Sequence, residues 1–226
     1  MHFGGVNRAP ITTTRLLLDF IFKYCIINNM KISKIDDIRG FLREAGKSPL
    51  STTVSDFVKL VGNKVDYALC GGLVVGVYGR ARGTDDVDML LRSDSDIQMV
   101  INLTRIKFKQ NRGHAIIHKE TGVEVKLVTP EFINVYSMII QSAIVHSSMK
   151  PVDNVEVPVI SKEGLIVLKL GRGNEYDIGD IKNVLRVGGH VDISNWPLKN
   201  NEKDLYNKIW LEVSNESKVE DPIIKE

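Results

Sequence analysis

The six residues Asp86-Val87-Asp88-Met89-Leu90-Leu91 constrain the fold of this chain more than any other stretch. Val87 to Leu91 is β-rich and reads as a central strand of a sheet. Side chains at i and i+2 of a strand point to one face, so Asp86 and Asp88 share a face. Two carboxylates inside an otherwise apolar run need a compensating partner. The backbone between them spans roughly 6.6 Å, so flexible carboxylates can converge on one metal ion. Upstream, a strand at Asp66–Leu69 runs into Gly71-Gly72, a pair that leaves the backbone open to a bound phosphate. Metal and phosphate together point to metal-assisted chemistry on a nucleotide.

The flanking pattern predicts a small α/β core with helical extensions at both ends. Met1 to Pro10 reads as loosely ordered. Thr12 to Asn29 carries an apolar stripe of Leu16, Leu17, Phe20, Ile21 and Tyr24 and reads as a helix. Ser33 caps a second helix through Ala45, Pro49 and Ser51 form a turn, and Val54 to Val61 is a third helix stopped by Gly62. Leu73 to Tyr78 is a short packed helix behind the glycines, and Gly79 to Gly83 is a loop. Asp94 caps a helix running through Lys107. His114–His118 and Val123–Val128 flank a four-residue turn and form a hairpin. Pro130 opens a helix reaching Ser147, and Val155–Ile160 is a short strand. Helices follow from Ser161 to Leu170, Asp177 to Val187 and Glu202 to Val213, with a frayed tail from Ser214. The expected division is a helical segment at 1–63, a core at 64–160 and a helical region at 161–226.

On the second hairpin strand, Val123, Val125 and Leu127 alternate with Glu124 and Lys126, so the two charges share the polar face. Phosphoryl-type transfer needs positive charge on a leaving diphosphate and an in-line nucleophile, and divalent ions supply both. Magnesium or manganese favours a few carboxylates plus substrate phosphates. Asp86 and Asp88 suit that role. Glu124 is the best candidate for a third carboxylate and for accepting the proton of an attacking hydroxyl, and Lys126 for neutralising phosphate. An exposed ion pair between Glu124 and Lys126 is the plainer alternative.

Tyr67-Ala68-Leu69-Cys70-Gly71-Gly72-Leu73-Val74-Val75, followed by Arg82-Gly83-Thr84-Asp85-Asp86-Val87-Asp88, resembles the signature of the polymerase-β-like nucleotidyltransferases. The similarity is greatest to the minimal, toxin-type branch, the AbiEii-like enzymes. A second stretch, Ser161 to Leu165, then Lys169-Leu170-Gly171-Arg172, then Asp177-Ile178-Gly179-Asp180-Ile181, is similar to that family's downstream helical motif. The resemblance spans roughly Asp66 to Arg186. It implies a small mixed-sheet nucleotidyltransferase core. It implies that Gly71 and Gly72 cradle a triphosphate, that Asp86, Asp88 and Glu124 hold Mg²⁺ or Mn²⁺, and that Arg82, Thr84, Lys126, Lys169 and Arg172 face the nucleotide. The reaction implied is transfer of a nucleoside monophosphate to a hydroxyl, on a tRNA 3′ end or a protein side chain, with an antitoxin protein as a possible partner. The chain has Gly71-Gly72 where the family often has Gly-Ser, and Glu124 where aspartate is common.

Other readings stay open at this point. A nucleotide-binding regulator of the same fold would keep the site and lose turnover. Ser33–Gly62 would suit a helix-turn-helix for nucleic acid. Asp177 sits where an N-cap belongs and Asp180 in the first helical turn, both ordinary structural roles. Lys169 and Arg172, at i and i+3, share one helical face, which could be merely solvated. His114 and His118 are four apart, but the hairpin places them on a strand, away from helical zinc geometry. The net charge of +2 argues for no nucleic-acid partner by itself. Cys25 and Cys70 have no zinc-ligand spacing and read as reduced thiols. No run approaches the apolar length of a membrane span, about 18 residues. A cytoplasmic protein is the default expectation.

Overall fold

The computed structural model of the chain describes residues 48–133, 135–152 and 155–219. In chain order the helices are α1 (Pro49–Val61), α2 (Gly71–Tyr78), α3 (Ser95–Thr104), α4 (Pro130–Ile133), α5 (Ser137–Val145), α6 (Lys162–Arg172), α7 (Glu175–Gly188) and α8 (Asn200–Val219). The strands are β1 (Tyr67–Cys70), β2 (Asp86–Leu91), β3 (Phe108–Gln110), β4 (Ala115–His118), β5 (Glu124–Val128), β6 (Ser148–Val152) and β7 (Val155–Val159). They form one seven-stranded mixed sheet in the order β3-β4-β5-β2-β1-β7-β6. The central trio carries the acids. β1 and β2 pair antiparallel, while β2 and β5 pair parallel, with Asp86 opposite Glu124 and Asp88 opposite Lys126.

Period-two alternation divides the sheet into two faces. Phe57 of α1 meets Tyr67 and Phe108 edge-on, at centroid separations of 5.4 and 6.3 Å. Tyr67 lies opposite Leu91, so this face also carries Val87 and Met89, both fully buried. The other face carries Asp86, Asp88, Leu90, Glu124, Lys126 and Val128, and α2 and α5 pack on it. One contiguous apolar core runs from Val54 of α1 to Val213 of α8.

Several expected elements shift. The turn at Pro49 and Ser51 is instead the first turn of α1: the Ser48 hydroxyl accepts from the Ser51 N–H, and proline suits the first helical position because its missing N–H is needed nowhere. Pro49 and Ser51 are therefore helical; the first helix of the expected helix-turn-helix, the Thr12–Asn29 helix, the Met1–Pro10 segment and Cys25 lie outside the described residues. Asp94 does not cap α3 through its side chain, since its Oδ1 accepts from the Thr129 hydroxyl at 2.5 Å. The single helix expected from Pro130 is two, because Tyr136 is extended (φ −55°, ψ 132°). Val135 instead packs on Gly171, where a Cβ would come within 2.9 Å of Val135 Cγ2. Asn174, not Asp177, is the N-cap of α7, and its Oδ1 accepts from the Asp177 N–H. β3 is only three residues long, and β6 contains Pro151, which an edge strand tolerates. Ser214 continues α8 rather than starting a frayed tail.

Candidate active site

Gly71 and Gly72 occupy the first turn of α2, directly after β1. Gly71 has φ 70°, a conformation side chains resist, and a Cβ there would lie 1.7 Å from Asp88 Oδ2. A Cβ on Gly72 would meet Thr84 Oγ1 at 2.8 Å and Arg82 Nη2 at 3.3 Å. The glycine pair is therefore what lets the acids of β2 and the loop before it approach the helix start. The Gly72 backbone N–H lies near the Asp88 carboxylate and favours its charged form. Cys70, opposite Asp88 on β1, is a free buried thiol whose Sγ lies 3.4 Å from the Asp88 carbonyl oxygen. Burial pushes that thiol well above its ordinary value.

The two aspartates differ electrostatically. Burial first, and then the negative charge of Asp86, push the Asp88 carboxyl above the usual carboxylate range. Burial also raises Asp86, but hydrogen bonds from Lys126 and Thr84 outweigh it and leave that carboxyl lowered. Thr84 Oγ1 donates to Asp86 Oδ1 at 2.8 Å, and Lys126 Nζ makes a very short contact with Asp86 Oδ2. The Lys126 ammonium is raised in turn, chiefly by that hydrogen bond. A pair of carboxylates pushed apart in pKa is a frequent mark of a working site.

Glu124 shares the face and the register of Asp86, yet its Oε2 accepts from Asn111 Nδ2 at 2.7 Å. It makes no ion pair with Lys126, which is taken by Asp86. Among the described residues no group of three His, Cys, Asp or Glu side chains is arranged to hold a metal ion. Asp86 and Asp88 nevertheless fit a divalent cation. Asp88 is a half-buried acid whose carboxyl is held above the usual carboxylate range, beside a second acid on the same strand face.

The downstream motif forms an ion network against this site. Lys169 Nζ donates to Asp177 Oδ1 at 3.0 Å and lies 2.7 Å from Asp180 Oδ2. Arg172 Nε is 3.0 Å from Asp177 Oδ2, a charge contact at an angle that makes no hydrogen bond. Arg82 donates to both oxygens of Asp180, from Nε at 2.8 Å and Nη2 at 3.0 Å. Lys169 is thus buried between two aspartates, whereas Arg172 and Arg82 keep exposed surface. Asp180, which the sequence places in a first helical turn, links Arg82 to Lys169, and Asn111 and Asn183 belong to none of the sequence motifs. The sequence trace of the first and last was the polar stripe Asp177, Asp180, Asn183 at i, i+3 and i+6 beside the apolar Ile181, Val184 and Leu185.

The histidines stand apart from this site. His118 is fully buried, with Nε2 3.1 Å from Asp56 Oδ2 and Nδ1 accepting from the Thr121 N–H at 3.1 Å. His114 Nδ1 lies 3.8 Å from Asp94 Oδ1, beyond hydrogen-bond reach.

No protein-family model matches the sequence, and no curated protein matches it. Among solved structures, the fold is similar to the crystal structure of an antigenic nucleotidyltransferase-like protein from Paracoccidioides brasiliensis, with a TM-score of 0.53, 17% identity, and coverage of 76% of this chain and 92% of that one. At that identity the likeness is one of fold. No described helix is long and apolar enough to cross a membrane.

Proposed function

We propose that the chain is a nucleotidyltransferase that moves a nucleoside monophosphate from a nucleoside triphosphate to a hydroxyl acceptor and releases diphosphate. The observation that carries this reading is one sheet face that brings Asp86, Asp88, Glu124 and Lys126 together at the glycine start of α2. The nucleotidyltransferase-like fold neighbour supports it. Backbone N–H groups at Gly71 and Gly72, with Arg82, Thr84 and Arg172, are the ligands for the triphosphate, in keeping with anion binding at a helix N-terminus. Asp86 and Asp88 would hold Mg²⁺ or Mn²⁺, which when bound stabilises the developing charge on the reacting oxygens. The acceptor oxygen bonds to the α-phosphorus as the bond to the departing diphosphate breaks. Glu124, released from Asn111, takes the acceptor proton. Lys126 exchanges Asp86 for a phosphate oxygen, and Lys169 keeps Asp177 and Asp180 in place. The acceptor proposed is an RNA 3′ end, a tRNA among them, or a protein side chain, and an antitoxin partner belongs to the same reading.

One observation favours a second reading, a nucleotide-binding regulator without turnover: Glu124 is held by Asn111 and Asp86 by Lys126. The two separate by experiment. The protein is incubated with each α-labelled nucleoside triphosphate, Mg²⁺, total RNA and total protein. Label in one acceptor fraction is expected. Triphosphate binding with no labelled acceptor would replace the first reading with the second.

A further inference from the structure

The loop from Gly79 to Thr84 joins α2 to β2, and Arg80 to Gly83 are exposed. Its far end feeds the site. Arg82 Nη2 lies over Gly72, and Thr84 holds Asp86. α7 grips this loop at two points. Asp180 takes the Arg82 guanidinium through two hydrogen bonds. One turn further on, Asn183 takes the backbone of Arg80 from both sides: its Oδ1 accepts from the Arg80 N–H at 2.8 Å, and its Nδ2 donates to the Arg80 carbonyl at 2.9 Å. The approach is close, because a Cβ on Gly79 would sit 3.1 Å from Asn183 Oδ1 and 3.2 Å from Val184 N. Asn183 has no share in the ion network around Lys169, so its contact serves the loop alone.

We infer that Asn183 is a positioning residue which, with Asp180, fixes the Gly79–Thr84 loop on α7 so that Arg82 and Thr84 stand at the start of α2 before a triphosphate arrives. The inference rests on the reading of that helix start as the triphosphate site. A loop held in its bound arrangement loses less freedom when the ligand binds, and the gain is read as affinity. A carboxamide that satisfies both polar groups of one exposed residue does what a neighbouring strand would do, without adding charge beside the anion.

The test is a double-mutant cycle on the full chain. ATP, CTP, GTP and UTP with Mg²⁺ are titrated calorimetrically into wild type, Asn183→Ala, Arg82→Ala and the double variant, and KM and kcat are measured for transfer. Asn183→Ala is expected to weaken triphosphate binding about tenfold, raising KM with kcat within about twofold. The losses in the double variant should be clearly less than additive, because Asn183 acts in large part through the loop that carries Arg82. Asn183→Gln, which keeps an uncharged carboxamide on a longer side chain, should fall between and serves if the alanine variant fails to fold. Unchanged affinity in Asn183→Ala, or losses that add in the double variant, would overturn the inference while leaving the site reading standing. A wild-type chain that binds none of the four triphosphates would overturn the site reading and the inference with it.

Discussion

An alanine at Gly71 would have two consequences of different size. Gly71 has φ 70°, and holding a non-glycine residue there costs about 1–3 kcal/mol. At roughly 3 °C per kcal/mol for a chain of this length, the melting temperature should fall by about 6 °C. The second consequence is local. The new Cβ would lie 1.7 Å from Asp88 Oδ2. An unstrained carbon–oxygen contact needs about 3.3 Å, so the carboxylate must retreat by about 1.5 Å. A displacement on the order of 1 Å at a reacting centre costs about 100-fold in rate. Gly62→Ala is the control, because Gly62 has φ 54° with no atom near its Cβ position. Both variants should lose thermal stability, but only Gly71→Ala should lose transfer, by at least about 100-fold. The assay is thermal unfolding beside transfer of α-labelled triphosphate at a temperature where both variants are folded. Equal transfer by the two variants would refute the claim that Gly71 exists to admit the Asp88 carboxylate.

Asp88→Asn should raise stability in metal-free buffer. An acid whose pKa is raised by burial loses stability as pH rises through that value, so the gain should appear near neutral pH and vanish in acid; thermal unfolding across pH measures it. Lys169→Met removes the cation shared by Asp177 and Asp180, which keep Arg172 and Arg82, and should cost about 1.5–3 kcal/mol in urea unfolding. Asp56 is raised by burial but lowered on balance by hydrogen bonds from Lys107 and His118. Its contribution is therefore present above the ordinary aspartate range and lost as pH falls through the depressed value. Asp56→Asn should flatten the acid limb of the stability curve.

The alternation in Asp86–Leu91 and in Val123–Val128 made the polar face of both strands legible, because period-two patterning is a local property. The pairing of those strands was not. Asp86 meets Glu124 across a parallel ladder closed by a helix and a hairpin, and no local residue encodes that register. For the same reason Lys126 could be assigned to phosphate but not to Asp86, and Asn111 could not be connected to Glu124. Asp177 was misread because aspartate and asparagine both cap helices, and Asn174 stands three residues earlier. β6 was missed because Pro151 argues against a central strand, yet β6 lies at the sheet edge, where proline is tolerated. The charges of the downstream motif were visible, but three-dimensional packing decided that Lys169 is buried between aspartates while Arg82 and Arg172 keep exposed surface.

Nucleotidyl transfer at Asp86 and Asp88 is tested most directly by Mg²⁺-dependent diphosphate release from the preferred triphosphate and acceptor, compared between wild type and Asp88→Asn at matched folded fraction. The account predicts release by wild type that disappears on chelation, and none by Asp88→Asn despite an equal or higher melting temperature. Release at the wild-type rate by Asp88→Asn would contradict it.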